Sequence, residues 1–374
     1  MNKKLGLIVN PIAGIGGRVG LKGSDGEEIL NRAKELGAQP EAPRRTVDAL
    51  KGLVPMKEDI ELITYPYEMG EDEARKCGLS PIVIGEIKKG ETSATDTRNA
   101  AREMLRLEVD LLLFAGGDGT ARDIYSVIGD KITALGVPSG VKIHSAVYAT
   151  SPRNAGELAA FYLGGKSSEV RLSEAEIMDI DEQSFREDRL SARLYGYLKV
   201  PYMKRMIQCA KAGGCAGEQQ ALNGIAADVI NNMETECLYI IGTGTTTRAI
   251  MEQLGLKNTL LGVDAVYNGK LVGSDVNEAQ LLQMVEEKKA KIVVGVIGRQ
   301  GYIFGRGNQQ ISAKVIKKVG KENIIILATL DKITTLKDAP LLVDTGDEEI
   351  DKHLSGYVQV ISGLGERIVL KIEY

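Results

Sequence analysis

Leu111-Leu112-Leu113-Phe114-Ala115-Gly116-Gly117-Asp118-Gly119-Thr120 decides the fold class of this 374-residue chain. Its apolar run has no polar interruption, which predicts a strand buried on both faces. The glycines that follow, and the helical texture of Ala121-Arg122-Asp123-Ile124-Tyr125, predict a tight turn into a helix. Strands buried on both faces belong to parallel sheets with helices above and below. The surrounding sequence repeats that alternation. Strands are expected at Leu5 to Val9, Ile60 to Tyr65, Pro81 to Ile84 and Thr133 to Val137. Ser24-Asp25-Gly26-Glu27 reads as a capping box opening a helix to Leu36 before Gly37, and Thr95 to Leu107 as an amphipathic helix.

The expected N-terminal domain is therefore α/β: a Rossmann-like parallel sheet with helices on both faces, over residues 1–164. The texture changes after Ser151-Pro152 and the turn Gly164-Gly165. Val170 to Ile180 and Ser191 to Val200 look like a pair of strands around the acidic stretch Asp181 to Asp188. From Leu238 the βα alternation resumes, with strands at Leu238 to Ile241, Ile292 to Val296, Asn323 to Leu327 and Tyr357 to Ile361. Helices are expected near Thr245, Asn277 and Asn308, making residues 165–374 a mixed α/β domain.

Composition excludes several classes. The net charge is -4 with acids and bases interspersed, so no basic stripe offers a nucleic-acid groove. Four cysteines without CxxC spacing and two histidines give no zinc cage or disulfide framework. The start Met1-Asn2-Lys3-Lys4-Leu5 reads as a first strand rather than a signal peptide, and no apolar run is long enough for a membrane span. A cytoplasmic protein without membrane or nucleic-acid partners is expected.

A strand that ends in a glycine turn before a helix is the place where open α/β sheets bind ligands. Gly116, Gly117 and Gly119 allow close backbone approach, and the amides that open a helix favour an anion, so a phosphate cradle is expected there, with Thr120 beside it. A carboxylate that only lined this cradle would repel phosphate. Asp118 is therefore read either as a ligand of Mg²⁺ or a proton acceptor for an attacking hydroxyl, or else as a plain helix cap.

Phe114-Ala115-Gly116-Gly117-Asp118-Gly119-Thr120, together with Asn10-Pro11-Ile12-Ala13-Gly14, resembles the ATP-NAD kinase superfamily, which is related to diacylglycerol, sphingosine and 6-phosphofructokinase-type enzymes. Within it, the chain looks most like the predicted ATP-NAD kinase branch associated with acetoin catabolism. The resemblance implies a kinase using ATP or polyphosphate with Mg²⁺, and NAD as the substrate phosphorylated at its 2′-hydroxyl. It assigns the assisting carboxylate to Asp118, and soluble relatives imply a homo-oligomer.

Other loops fall in with this reading. Asn10, Gly14, Gly16, Gly17 and Arg18 follow the first strand and suit a second wall of the phosphate site. Ser139 and Lys142 follow the strand at Thr133, with His144 nearby as a supporting candidate. Gly242, Thr243, Gly244, Thr245, Thr246 and Arg248 form another strand-to-helix turn. It is similar to the TGST-type loop on the substrate side of NAD kinases, although a third threonine and an arginine stand where Ala-Tyr usually follows. Arg306, between Gly305 and Gly307, and the carboxylates Asp264 and Asp344 are weaker candidates. The string Ala221-Leu222-Asn223-Gly224 lacks the acid of the Asn-acid pair that grips the nicotinamide ribose in NAD kinases. Three functions follow: NAD kinase, a kinase with a lipid or polyol acceptor, and a non-catalytic nucleotide-binding regulator.

Overall fold

The computed structural model describes residues 2–21, 27–140, 143–164, 170–180, 192–203, 206–207, 218–259, 261–297, 300–336 and 339–374. The chain divides into two compact units. Met1–Ile15 and Gln39–Ala210 belong to the first; Gly16–Lys22, Glu27–Ala38 and Lys211–Tyr374 belong to the second.

In the first unit, β1 (Lys3–Val9), β2 (Ile60–Thr64), β3 (Ile82–Val83), β4 (Leu111–Gly116) and β5 (Ala134–Pro138) form one sheet in the order β3-β2-β1-β4-β5. All of its pairs are parallel. The uninterrupted apolar runs have the predicted cause. Because successive side chains alternate faces, Leu5, Leu7 and Val9 of β1 join Leu111, Leu113 and Ala115 of β4 in one core. Helices Ala42–Leu50 and Pro152–Leu163 supply Ala49, Leu50, Leu158 and Leu163 to it. Ile8, Leu112 and Phe114 point the other way, into a core completed by Ala100 and Met104 of helix Ala94–Arg106 and by Ala121, Ile124 and Ile128 of helix Asp118–Ile128. Gly6 lets the first of these helices come close, since a Cβ there would lie 2.9 Å from Met104 Sδ.

The two strands expected after residue 165 are present as β6 (Arg171–Ile180) and β7 (Ala192–Tyr202), antiparallel to each other. They differ from the sequence reading in their allegiance. Ala175, Ile177, Leu198 and Val200 enter the core of the first unit, so this ribbon extends that unit beyond the texture change read as a boundary at residue 165. The acidic stretch Asp181 to Asp188, the start of the predicted capping box at Ser24, Cys209 and Cys215 lie outside the described residues.

In the second unit, parallel strands β8 (Leu238–Ile241), β11 (Ala290–Gly295), β13 (Ile324–Leu327) and β15 (Gly356–Gly363) form the centre of a nine-stranded sheet. β9 (Asp264–Tyr267) and β10 (Lys270–Gly273) extend one side antiparallel. β16 (Glu366–Glu373) pairs antiparallel with β15, then β14 (Leu341–Val343) and β12 (Tyr302–Phe304) run parallel at the far side. The sheet is mixed, as expected for this half. Helix Glu218–Asn231 carries Leu222 and Ile225 into one of its two cores. The helix expected near Asn308 begins later, at Ala313, because Ser312 caps it by accepting from the Val315 amide. No helix among the described residues is long and apolar enough to cross a membrane.

Helices Ala42–Leu50 and Pro152–Leu163 pack closely at Gly156: a Cβ there would sit 1.9 Å from the Ala49 carbonyl oxygen. Gly156→Ala is therefore expected to lower the unfolding free energy by about 3 kcal/mol, measured by denaturant titration of the full chain followed by circular dichroism.

Candidate functional site

β1 and β4 are neighbours, yet the chain leaves β1 towards β2 on one side and β4 towards β5 on the other. The carboxyl ends of β1 and β4 thus flank the switch point of the sheet, where such folds leave a crevice for a ligand. Asn10, just past β1, donates its amide to Ala115 O at 3.0 Å. Its side chain bridges outward: Nδ2 donates to Thr120 Oγ1 at 3.0 Å, and Oδ1 accepts from the Ile12 amide at 3.3 Å. Gly14 has φ +80 and packs so tightly that a Cβ there would lie 2.3 Å from Ser139 O. Ser139 and Gly140 both donate their amides to Gly116 O, at 2.9 and 3.0 Å. Gly117 and Gly140 meet backbone to backbone, a Cβ on Gly140 falling 2.7 Å from Gly117 Cα. The structure thus brings together Asn10, Gly14, Gly116, Gly117, Thr120 and Ser139. Lys142 lies outside the described residues, and Gly16 and Gly17 group with the second unit, where a Cβ on Gly17 would be 3.3 Å from Gln309 Cβ.

Gly117 is the N-cap of helix Asp118–Ile128 and offers no side-chain acceptor to its first turn. Asp118 is the first helical residue, not the cap. Its carboxylate turns instead to the following loop and accepts from the amides of His144 at 2.7 Å and Ser145 at 3.0 Å. Burial pushes the Asp118 carboxyl up to about 7, against the pull of hydrogen bonds from Ser145 and His144, and nearby Asp179 adds to the rise. The His144 ring nitrogen Nδ1 stands 3.8 Å from Asp118 Oδ2, beyond hydrogen-bond reach. His144 therefore contributes its backbone more directly than its ring.

Two residues that the sequence did not single out complete the frame. Ser145 Oγ donates to Met178 O at 2.8 Å and accepts from Met178 N at 3.0 Å, tying the loop that grips Asp118 to β6. Tyr148 donates its hydroxyl to Gly117 O at 2.5 Å, and its ring fills the space where a Cβ on Gly136 would lie 2.3 Å away. No local sequence pattern announces either contact, since both join segments more than thirty residues apart in the chain.

The arrangement leaves amides of the first helical turn for anionic oxygens, with the Thr120 hydroxyl held by Asn10 and one carboxylate behind them. Among the described residues no three His, Cys, Asp or Glu side chains converge as a metal cage. That donor set still fits Mg²⁺, which commonly takes one or two carboxylates together with substrate phosphates and water. Asp118 is the carboxylate at this turn, but both of its oxygens already accept from backbone amides, so Mg²⁺ would be held here chiefly by substrate phosphates and water.

In the second unit, Gly242 follows β8 and packs against Val293 O, 3.1 Å from where a Cβ would stand. Gly244 (φ +121) is the N-cap of helix Thr245–Gln253, and Thr247 Oγ1 donates to Gly244 O at 3.0 Å. Thr243 Oγ1 donates to Gly307 O at 3.3 Å, and Lys332 Nζ donates to Thr246 Oγ1 at 2.7 Å. The threonine loop and the Gly305 to Asn308 loop are thus adjoining. Arg248 pairs along its own helix with Glu252 at 2.7 Å. Arg306 turns inward, 3.4 Å from Asp344 and over the Tyr302 ring, with both charged groups buried. Asp264 accepts from Thr259 N, Thr259 Oγ1 and Asp275 N, which makes it a brace for two loops. Asn223 lies within helix Glu218–Asn231, its Oδ1 accepting from Gln219.

Comparison with known proteins adds to this geometry. The family model of the ATP-NAD kinase N-terminal domain matches residues 5–166, and that of the ATP-NAD kinase C-terminal domain matches residues 234–371. Among solved structures, the chain is similar to a protein of Bacillus anthracis str. Sterne provisionally titled a diacylglycerol kinase. Identity is 13%, coverage is 72% of this chain and 63% of that one, and the TM-score is 0.23. No curated protein matches the chain.

A raised carboxyl pKa in the folded protein means that the folded state binds the proton more tightly than the unfolded one. The stabilisation is complete below the unfolded value of 3.8 and is lost as pH rises through about 7. Wild type should therefore lose stability relative to Asp118→Asn between pH 5 and pH 8, by on the order of 1–2 kcal/mol. Denaturant titrations of both proteins at the two pH values check this. Glu73, also pushed up to about 7 by burial, is common to both and cancels.

Proposed function

Because the chain belongs to the ATP-NAD kinase superfamily, we propose that it transfers the γ-phosphoryl group of ATP, or a terminal phosphoryl group of polyphosphate, to the 2′-hydroxyl of NAD to give NADP. The observation that carries the reading is the Gly116 to Thr120 turn at the β1/β4 switch point, inside the region matched by the N-terminal kinase model. The resemblance to the acetoin-associated branch belongs to the same proposal.

Each residue then has a task. The amides of Gly117, Gly119 and Thr120 hold phosphate oxygens, and glycine at 116, 117 and 119 keeps side chains out of that space. Asn10 orients the Thr120 hydroxyl. Asp118 takes the proton of the acceptor hydroxyl, a task for which a carboxyl near 7 is well poised because it is part ionised at neutral pH. Mg²⁺, when bound, neutralises the phosphates. Positioning and charge neutralisation supply most of the acceleration, as in phosphoryl transfer generally. Gly242 to Thr246 and Arg248 are assigned to the substrate side.

One observation favours a second acceptor class. Asn223 sits inside a helix and is followed by Gly224, so that string does not supply an Asn-acid pair for a nicotinamide ribose. A lipid or polyol hydroxyl is the alternative.

Purified protein is expected to form NADP from NAD with ATP or polyphosphate in a Mg²⁺ titration, and Asp118→Asn to lower kcat by roughly 10²–10⁴-fold. ADP release with a lipid or polyol but not with NAD would reassign the acceptor. Calorimetric nucleotide binding with no turnover on any acceptor would make the protein a regulator instead.

A further inference from the structure

Arg122 lies one turn into the helix that begins at Asp118, and its guanidinium reaches back towards the glycine turn. A Cβ on Gly119 would stand 3.9 Å from Arg122 Nη2. The guanidinium is also held from the far side: Nη1 is 2.6 Å from Asp179 Oδ2, and the group lies over the Tyr195 ring, 5.7 Å from its centroid. Asp179 and Tyr195 belong to β6 and β7, and Ser145 fixes that ribbon through both polar backbone atoms of Met178, next to Asp179. The same Ser145 grips Asp118 through its amide. Asp118 and Asp179 are therefore tied to the same loop and ribbon, with Arg122 resting on that ribbon, and the influence of Asp179 on the Asp118 carboxyl is a second sign of their closeness.

The Arg122 side chain is 41% exposed, against 16% for Asp179, and a partly exposed pair is held only weakly. A phosphate chain carries several charges and accepts the planar fork of arginine through two parallel bonds. We propose that Arg122 is a phosphate-binding and positioning residue of the Gly116 to Thr120 site, parked on Asp179 and Tyr195 until a polyphosphate group displaces the carboxylate. The ligand class is a di- or triphosphate, free or as part of a nucleotide. The inference rests on the phosphate site proposed above, but not on the identity of the acceptor.

The test is calorimetric binding of inorganic tripolyphosphate and of ADP to the full chain, with melting curves to confirm folding and steady-state kinetics alongside. Arg122→Gln is expected to weaken both ligands roughly 10-fold, and in turnover to raise KM for the donor more than it lowers kcat. Arg122→Lys, which keeps the charge and loses the fork, should fall between. Asp179→Asn removes the competitor and is expected to tighten binding about 2–5-fold. Arg122→Gln that binds like wild type, or Asp179→Asn that weakens binding as much as Arg122→Gln, would overturn the proposal, as would wild type that binds neither ligand. Arg122-dependent binding without NADP formation would sink the NAD reading and leave this one standing. Normal turnover with an indifferent Arg122→Gln would do the reverse.

Discussion

The carboxylate of Asp118, buried at the start of a helix and gripped by two backbone amides, fixes the architecture of the first unit's functional edge. A buried carboxylate without donors would be costly, so the loop after β5 must come within hydrogen-bond distance of the turn after β4. That approach is possible only if no side chain intervenes, and Gly117 and Gly140 meet there backbone to backbone. Once the loop is seated, Ser145 anchors β6 and Tyr148 closes on Gly117 O. The turn, the loop and the ribbon are thus one object. The sheet beneath it carries two apolar cores, one on each face, and holds the ends of β1 and β4 in register.

The second unit solves a related problem with different chemistry. Its loops at the ends of β12 and β14 are braced by buried polar pairs: Arg306 with Asp344, and Asn308 with the backbone of Ile303 and Gly305. A buried ion pair is weak evidence for stability, but it fixes direction. Arg306 and Asp344 bind each other, and among the described residues nearby Thr243 donates to Gly307 O while Lys332 donates to Thr246 Oγ1, which ties the threonine loop in place.

What was legible in the sequence follows from how local the determinants are. β4 and its turn were legible because apolar continuity, glycine and helix onset coincide within ten residues, Leu111 to Thr120. β12 and β14 were not, since strands of three residues make no periodic pattern and gain their burial from neighbours far along the chain. β16 escaped for another reason: only Ile372 of its residues is fully buried, and its short apolar run Ile368-Val369-Leu370 is flanked by charges without strict alternation. At the site, the glycines and Asp118 announced themselves, but the direction of the carboxylate did not. Whether an aspartate at a helix start caps its own helix or reaches across to another loop depends on where that loop is placed, which is a tertiary fact. Arg122 was overlooked because helical arginines are ordinary surface residues until a glycine one turn earlier removes the side chain that would shield them.

Charge sharpens how the proposed phosphate site would have to work. The chain carries a net charge of -4, so its long-range field does nothing to gather a polyphosphate. Attraction has to arise within a few ångströms, from amides whose direction the glycines set and from a guanidinium held on a weak tether. Short-range donors of this kind discriminate by shape: a phosphate chain that reaches both the helix start and Arg122 gains every contact, while a single phosphate reaches only part of the set. The same reasoning explains why the acidic neighbour Asp179 is tolerated beside an anion site. It keeps the guanidinium extended and oriented over Tyr195, which lowers the entropy lost when the ligand replaces it. Under the proposed role of Arg122, selectivity for length of the phosphate chain would follow from the closeness of its guanidinium to Gly119, before any contact with an acceptor is made.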